Sequence, residues 1–489
     1  MAGIQYAGEF TLDTCELITS SGVRVNLLGS VVQVDIFEDI YKNSITGSIS
    51  VADTNHIIRD AQVTGQDYIR LKISTPSLSE TEETQTIDYT ENVLYVYKIN
   101  AKVDVSRNAQ FFQLSLISAE TIRNQRIRLS KSFAGTNSDI VKKILRSENF
   151  IDSSKKLHLE DSGGTKKHVV PNIHPFTFIK HLMNDSVSQH NGSPLYMFFE
   201  NTRGFHFKTL QSMYNEETKA NFNVGDPGEF DNVGSKVRDI QKEFETAISF
   251  ELSQTNDMLK NIISGMLGSK MKTINLFEKT IATEEYKYFK DFKKMERINA
   301  KENSADNPIY VDGIINDDGS TIEDFPDAKI FLNTKQSEVN LGNGRKMLHN
   351  DAAHYNKLTS LFGFKYPYRC NDKSNTMQHR VAKMIELATT LTATMKVNGH
   401  CGMSCGQTVM ITKPDANNKD SGYIDEMDSG KYLITRLRHI FTMPTRKHEI
   451  AMVVCKDSHP KKKEQITSIV EPKANKKEVE EVGEILADY

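Results

Sequence analysis

Tryptophan is absent from the 489-residue sequence, and cysteine (5) and proline (12) are scarce. Surfaces that bind glycans favour large aromatic platforms, so the missing Trp argues mildly against a carbohydrate-binding or hydrolytic protein. Cys15, Cys370, Cys401, Cys405 and Cys455 are odd in number and irregularly spaced, which speaks against a disulfide framework and for reduced, buried thiols. Long apolar runs are also missing: the longest, residues 195–199 and 450–455, fall far short of the ~20 residues a membrane span needs. Residues 1–20 have neither the basic start nor the apolar centre of a signal peptide. Nor does one sign of charge dominate, since 61 basic against 64 acidic residues leave a formal charge of -3, with no footprint for nucleic acid or an anionic membrane. The expectation is a soluble protein made in a cytosol, without membrane insertion. Its length implies three or four domains, since single cores stop growing near ~250–300 residues.

The sequence contains a layout that occurs twice. Gly406-Gln407 opens the run Thr408-Val409-Met410-Ile411, a polar gap follows, then the long run 431–441, a turn at Pro444-Thr445, and the run 447–455. Near the other end, Gly65-Gln66 precedes Tyr68-Ile69-Arg70-Leu71-Lys72-Ile73, a Ser/Thr/Glu loop, the long run 93–105, a turn at 106–108, and 109–118. Gly406 to Leu433 is 27 residues and Gly65 to Leu94 is 29; Gly406 to Ile450 is 44 and Gly65 to Phe112 is 47. Such spacing reads as a degenerate internal duplication. Period-two alternation predicts that Leu433, Leu437, Ile450, Met452 and Val454 face one core and Ile69, Leu71, Ile73, Leu114 and Leu116 another. Arg436, Arg438 and Lys447 are expected on the opposite, more tolerant face.

Taken in order, Val32, Val34 and Ile36, then Ile45, Gly47, Ile49 and Val51, alternate with polar residues and predict two more strands, so residues 1–122 read as a first antiparallel β-barrel. Residues 123–235 read as an α/β middle domain. In it Thr136-Asn137-Ser138 caps a helix with Ile140, Val141, Ile144 and Leu145 on one face, and Pro175 starts a second helix carrying Phe176, Ile179, Leu182, Met183 and Val187. A β-hairpin follows, from Leu195 through Asn201-Thr202-Arg203-Gly204 to Leu210. Residues 236–285 read as strands contributed to the second barrel and 286–394 as an irregular insertion ending in a helix over 376–392. The second barrel is expected over 395–458, and 459–489 as a charged tail, most of it mobile or ordered only on a partner. The fold class is α+β, mainly β: two antiparallel β-barrels around an α/β middle region.

Candidate chemistry is sparse. His400, Cys401 and Cys405, with Cys370 or Cys455 as a fourth ligand, offer a single C-x3-C rather than the paired knuckles of a zinc site. His174, His181 and His190 surround one helix, but residues seven apart lie ~10.5 Å from each other along it. In Asn316-Asp317-Asp318-Gly319, alignment on the glycine of a calcium loop puts Ile314 first and Phe325 twelfth, where ligands are required. The run Ser162 to Lys167 lacks the glycine and Gly-Lys-Ser/Thr order of a phosphate loop. The tail interleaves Lys461, Lys462, Lys463, Lys476 and Lys477 with Glu464, Glu471, Glu478, Glu480 and Glu481, as a solvated face would. With no G-x-S-x-G or H-E-x-x-H, the expectation is no enzyme, no catalytic, cofactor-binding or metal residues, and no cofactor.

The first barrel, the motif Pro175-Phe176-Thr177-Phe178-Ile179-Lys180, the hairpin ending Gly204-Phe205-His206-Phe207, residues 265–270, and Gly406-Gln407 with Ser429-Gly430-Lys431-Tyr432-Leu433-Ile434 carry a resemblance across most of residues 31–458. In this order the chain resembles the central baseplate hub protein of T4-like contractile-tail bacteriophages, related to the hub part of type VI secretion spikes. The resemblance implies two tail-tube-like barrels per chain and a homotrimer. Its three copies would form a pseudo-six-fold adaptor between the hexameric tail tube and the trimeric central spike. Implied partners are the spike protein, tail tube and tube-initiator proteins, baseplate wedge proteins and the tape-measure protein. Phage DNA would pass through the lumen without sequence-specific binding. The implied location is the tail baseplate of the virion, assembled in the host cytoplasm. The alternatives are a secretion-type spike, which would continue into an oligonucleotide-binding fold and a β-helix, and the carbohydrate-directed tail protein already disfavoured.

Overall fold

The computed structural model describes residues 4–54, 56–76, 84–106, 109–225, 240–254, 257–275, 279–292, 295–299, 308–310, 321, 329–334, 338–340, 346–348, 374–389, 391–414, 424–425 and 427–460. Cys370, the calcium-loop-like run 316–319 and the tail from residue 461 lie outside them. The fold is α+β and mainly β.

The first part contains β1 (Thr11–Ile18), β2 (Arg24–Asn26), β3 (Val31–Asp39), β4 (Thr46–Asp53), the short helix α1 (Ile57–Asp60), β5 (Tyr68–Thr75), β6 (Gln85–Ser106) and β7 (Ala109–Ser118). They pair in the order β2-β1-β5-β6-β7-β4-β3, antiparallel throughout. Ile69, Leu71, Ile73, Leu114 and Leu116 all point into its core and are fully buried.

The middle part contains α2 (Ala119–Arg126), β8 (Ser132–Gly135), α3 (Asn137–Arg146), β9 (Leu157–Leu159), β10 (Lys166–Val169), α4 (Pro175–Asn184), β11 (Tyr196–Asn201), β12 (Gly204–Thr209) and α5 (Leu210–Asn215). Thr136 caps α3 by accepting from Asp139 N at 3.2 Å, and Pro175 occupies the first turn of α4, where its missing N–H costs nothing. Every residue of β11 is buried because both its faces are covered. Tyr196 and Phe198 join the core of α3 and α4, while Met197 and Phe199 point the other way, into the core of the second barrel.

The remainder contains β13 (Ala220–Val224), α6 (Ile240–Glu245), β14 (Thr246–Gln254), α7 (Met258–Ser264), β15 (Gly268–Asn275), β16 (Thr280–Lys287), α8 (Tyr288–Asp291), β17 (Lys329–Thr334), β18 (Glu338–Asn340), β19 (Lys346–Leu348), α9 (Ser374–Thr389), β20 (Leu391–Asn398), β21 (Thr408–Thr412), β22 (Gly430–Thr442) and β23 (Lys447–Lys456). Six strands close into a barrel, β21-β13-β14-β20-β23-β22, with β22 pairing back onto β21. The strands expected from residues 236–285 divide. β14 enters the barrel, whereas β15 and β16 pair with β17 in a sheet of their own. The helix expected to run to residue 392 stops at Thr389. Leu391 begins β20, where the β-branched Thr392 and Thr394 favour an extended chain.

The duplication is visible as strand order. The first sheet runs β3-β4-β7-β6-β5 and the second barrel β14-β20-β23-β22-β21, each set in the same sequence order. Between β14 and β20 the second copy carries an insertion of more than a hundred residues, which builds the β15–β17 sheet and α9. Gly65 and Gly406 occupy equivalent places with φ of 85° and 81°, a left-handed conformation that favours glycine.

The first sheet does not close through its own strands. Its β3 edge pairs with β22 from Arg436↔Asp39 to Thr442↔Gln33, and the tip of the β22–β23 hairpin reaches β1 through the Glu9↔Lys447 bridge. Phe441 accordingly belongs to the first core, while Leu433 and Leu437 on the same strand belong to the second.

Leu437 is 2% exposed and Arg436 faces solvent. Arg438 shares the outward parity but lies 3.1 Å from the buried Asp35 carboxylate and 5.3 Å from the Phe37 ring centroid, so it is less tolerant than alternation alone suggests. The expected ranking in thermal melts is Leu437→Asp most damaging, at several kcal/mol as for an unpaired buried charge, Arg438→Ala intermediate, and Arg436→Ala within about 0.5 kcal/mol of the parent. A harmless Leu437→Asp would mean that the register of β22 is off by one.

Candidate functional site

Where the first sheet, the second barrel and the middle part meet, buried polar side chains tie the three together. Glu38 on β3 is buried, and its two oxygens accept from Thr202 N (2.7 Å) in the β11–β12 turn and from Cys405 N (2.6 Å) just before β21. One carboxylate thus ties three parts of the chain together. Burial pushes its pKa up to about 7 despite these two donors. Burial, with Glu38 alongside, also holds the Cys405 thiol well above its ordinary range, so the sulfur is an inert packing group. Asn201 Nδ2 donates to Cys405 O at 2.9 Å, and His206 Nε2 donates to Asn201 Oδ1 at 2.8 Å. The His206 ring stacks between Phe199 and His158, with centroids 4.8 and 4.4 Å away, and burial drives its pKa down to about 2, which keeps it neutral.

Beside this junction Lys155 Nζ lies 2.7 Å from Glu120 Oε2 of α2 and 2.6 Å from Glu200 Oε1 of β11, all three side chains buried. Glu200 Oε2 also accepts from Ser118 Oγ (2.8 Å) at the end of β7 and from Ile45 N (3.1 Å) just before β4. Burial disfavours the ammonium, but Glu200 and Glu120 outweigh it and raise the Lys155 pKa; burial likewise raises that of Glu200. A second buried group joins α9 to the end of β23. There Lys383 Nζ is 2.8 Å from Glu386 Oε2 and 2.6 Å from Asp457 Oδ2, the latter an ion-pair contact rather than an aligned hydrogen bond, and Tyr288 Oη donates to Glu386 Oε1 at 2.8 Å.

A cavity of about 520 Å³ opens at the same junction, lined among others by Gln85, Thr202, Arg203, Glu217, Lys219 and Gln407. Its walls are polar and carry both signs of charge.

The residues singled out by sequence scatter. Cys401, Cys405 and Cys455 are buried separately, Cys401 in the first core and the other two in the second. Among the described residues no three His, Cys, Asp or Glu side chains converge as metal ligands would. His174 holds the N-cap position of α4 but turns Nδ1 away from the helix, 2.9 Å from Asn124 O, while His181 and His190 are exposed. In the run 162–167, Ser162 is buried against Ser138, and Lys166 Nζ is bound to the Asp185 carboxylate at 2.6 Å, so neither is available to a phosphate. Glu38, Glu120, Lys155, Glu200 and Lys383 were missed. One signal was available: Val34, Ile36 and Glu38 share a parity on β3, so a carboxylate falls where a core residue is due.

No family model and no curated relative matches the sequence. Among solved structures, the chain is similar to a tail protein from Neisseria meningitidis MC58 at 8% identity and a TM-score of 0.47, over 92% of this chain and 97% of that one. It is also similar to the 43 kDa tail protein of prophage MuSo2 from Shewanella oneidensis, at 9% identity and a TM-score of 0.46, over 91% and 99%. A third is an E. coli component of the type VI secretion system, at 9% identity and a TM-score of 0.39, over 94% and 79%.

Removing the cation by Lys155→Met leaves two buried carboxylates facing each other, and a loss of ~3–5 kcal/mol is expected in chemical denaturation; unchanged stability would contradict the pairing. Glu38 supplies a pH dependence. Its carboxyl ionises near 4.5 when unfolded and near 7 in the fold, so stability is greatest below about 4.5 and falls as pH rises to about 7. The expected drop is on the order of 3 kcal/mol. Glu38→Gln should flatten that slope in denaturation curves taken from pH 4.5 to 7; an undiminished slope would assign it to other groups.

Proposed function

We propose that the chain is a structural hub of a contractile phage-tail baseplate, a homotrimer whose two barrels per copy make a pseudo-six-fold ring. The observation that carries this reading is the repeated strand order, β3-β4-β7-β6-β5 and β14-β20-β23-β22-β21, in two units locked together by one hairpin. Three copies of a two-barrel chain supply six barrels, which suits a ring that meets six-fold symmetry on one side and three-fold on the other. The motifs that resemble the hub family support it: residues 175–180 form the start of α4, the Gly204-to-Phe207 run forms β12, and Gly406-Gln407 opens β21. The buried charge networks support a role in bearing load without catalysis. In this reading the partners are the central spike, the tail tube and its initiator proteins, and the baseplate wedges.

Oligomeric mass tests it. Light scattering and native mass spectrometry of the purified chain, alone and with its spike protein, are expected to give a trimer of the 55.4 kDa chain. A stable monomer under both conditions, or a dimer or hexamer, would exclude the adaptor.

A further inference from the structure

The outward face of the β16-β15-β17 sheet is apolar at its margins and cationic at its centre. Strand pairing aligns Ile281 with Ile274, then Thr283 with Lys272 and Leu332, then Glu285 with Lys270 and Ile330. Ile281, Leu332 and Ile330 are 67%, 71% and 49% exposed. Lys270 is paired with Glu285 at 2.9 Å, whereas Lys272 stands exposed between the apolar residues. The other face is already covered, with Ser269 and Met271 fully buried and Gln378 of α9 donating to Ser269 O at 2.8 Å. A sheet with apolar side chains on both faces is most stable when a layer covers each of them.

The sequence beyond Pro460 contains a matching segment. In residues 478–489, Val479, Val482, Leu486 and Tyr489 recur at helical spacing with Ile485 beside them. Glu478, Glu480, Glu481, Glu484 and Asp488 fill most other positions, and no Lys or Arg occurs there. An acidic, apolar-striped segment is the complement of an apolar face with a lysine at its centre. Twelve residues cover ~18 Å even at the ~1.5 Å rise per residue of the most compact regular conformation, enough to cross three strands ~10 Å wide. Reach is sufficient too. Ser458 bridges to Pro308, Tyr310 accepts from Asn261 of α7 at 2.6 Å, and α7 packs on β17, so the described chain ends beside this unit. The intervening residues 461–477 would cover roughly 20–25 Å as a flexible chain and up to ~60 Å extended.

We propose that residues 478–489 dock on this face of their own chain, laying the apolar stripe across Ile281, Ile330 and Leu332 with acidic side chains around Lys272. The sheet then becomes the middle of three layers. This holds whether or not the chain is a baseplate hub.

The test uses the full chain. A carbodiimide that joins touching ammonium and carboxylate groups should link Lys272 to a carboxylate among residues 478–488. Deleting residues 478–489 should raise hydrogen exchange in 270–274, 281–285 and 329–334 about tenfold, as for loss of a covering layer. Leu332→Glu should abolish the link and raise exchange likewise, while protection in β22 and β23 stays at the parent level and shows the barrels intact. Unchanged exchange on this face after deletion overturns the proposal. So do links that form only between copies in a mixture of isotopically labelled and unlabelled protein.

Discussion

The β22–β23 hairpin is the constraint on which the rest of the structure depends. Along β22, Leu433 and Leu437 fill the second core and Phe441 the first, while the edge of the strand passes from β21 to β3. Without this hairpin the first sheet would keep an open side between β3 and β1, and the second barrel would lose two of its six strands. The first sheet and the second barrel therefore cannot turn against one another without breaking main-chain hydrogen bonds. A one-residue slip would carry every core side chain of β22 to the opposite face. Duplicated units joined by a flexible linker would not have this property.

The middle part uses the same economy of a shared element. β11 and β12 lie between the core of α3 and α4 and that of the second barrel, and the Glu38 and Glu200 carboxylates bind backbone N–H groups belonging to other parts. Buried charges add little net stability compared with apolar packing, but each becomes costly when its partner is displaced by a few ångströms. A junction made of such groups tolerates one arrangement of its parts.

Alternation made much of this legible. The pattern of β3, β4, β5, β7, β22 and β23 reads directly from period-two apolar residues, and the hairpin from its Asn-Thr-Arg-Gly turn, because each of these strands has one face in a core. β1 and β2 were not read, since Thr11, Asp13 and Glu16 interrupt the apolar series. The composition of the second barrel was legible only in part. β13 pairs in parallel with both β14 and β21, and β20 reaches β14 across the long insertion, so local pattern carries no trace of either pairing. Of the junction, only Glu38 left a signal. Lys155, Glu120 and Glu200 look like ordinary surface residues until the fold brings three distant segments together.

In the proposed trimer, the two interlocked units of each chain would build a ring with six positions of two alternating kinds. End-on class averages of the purified assembly by electron microscopy test it most directly. The account predicts a closed ring of six lobes around a lumen, alternating in outline and repeating every 120°. A ring with another number of lobes, or particles with only one barrel of each chain in the ring, would contradict it.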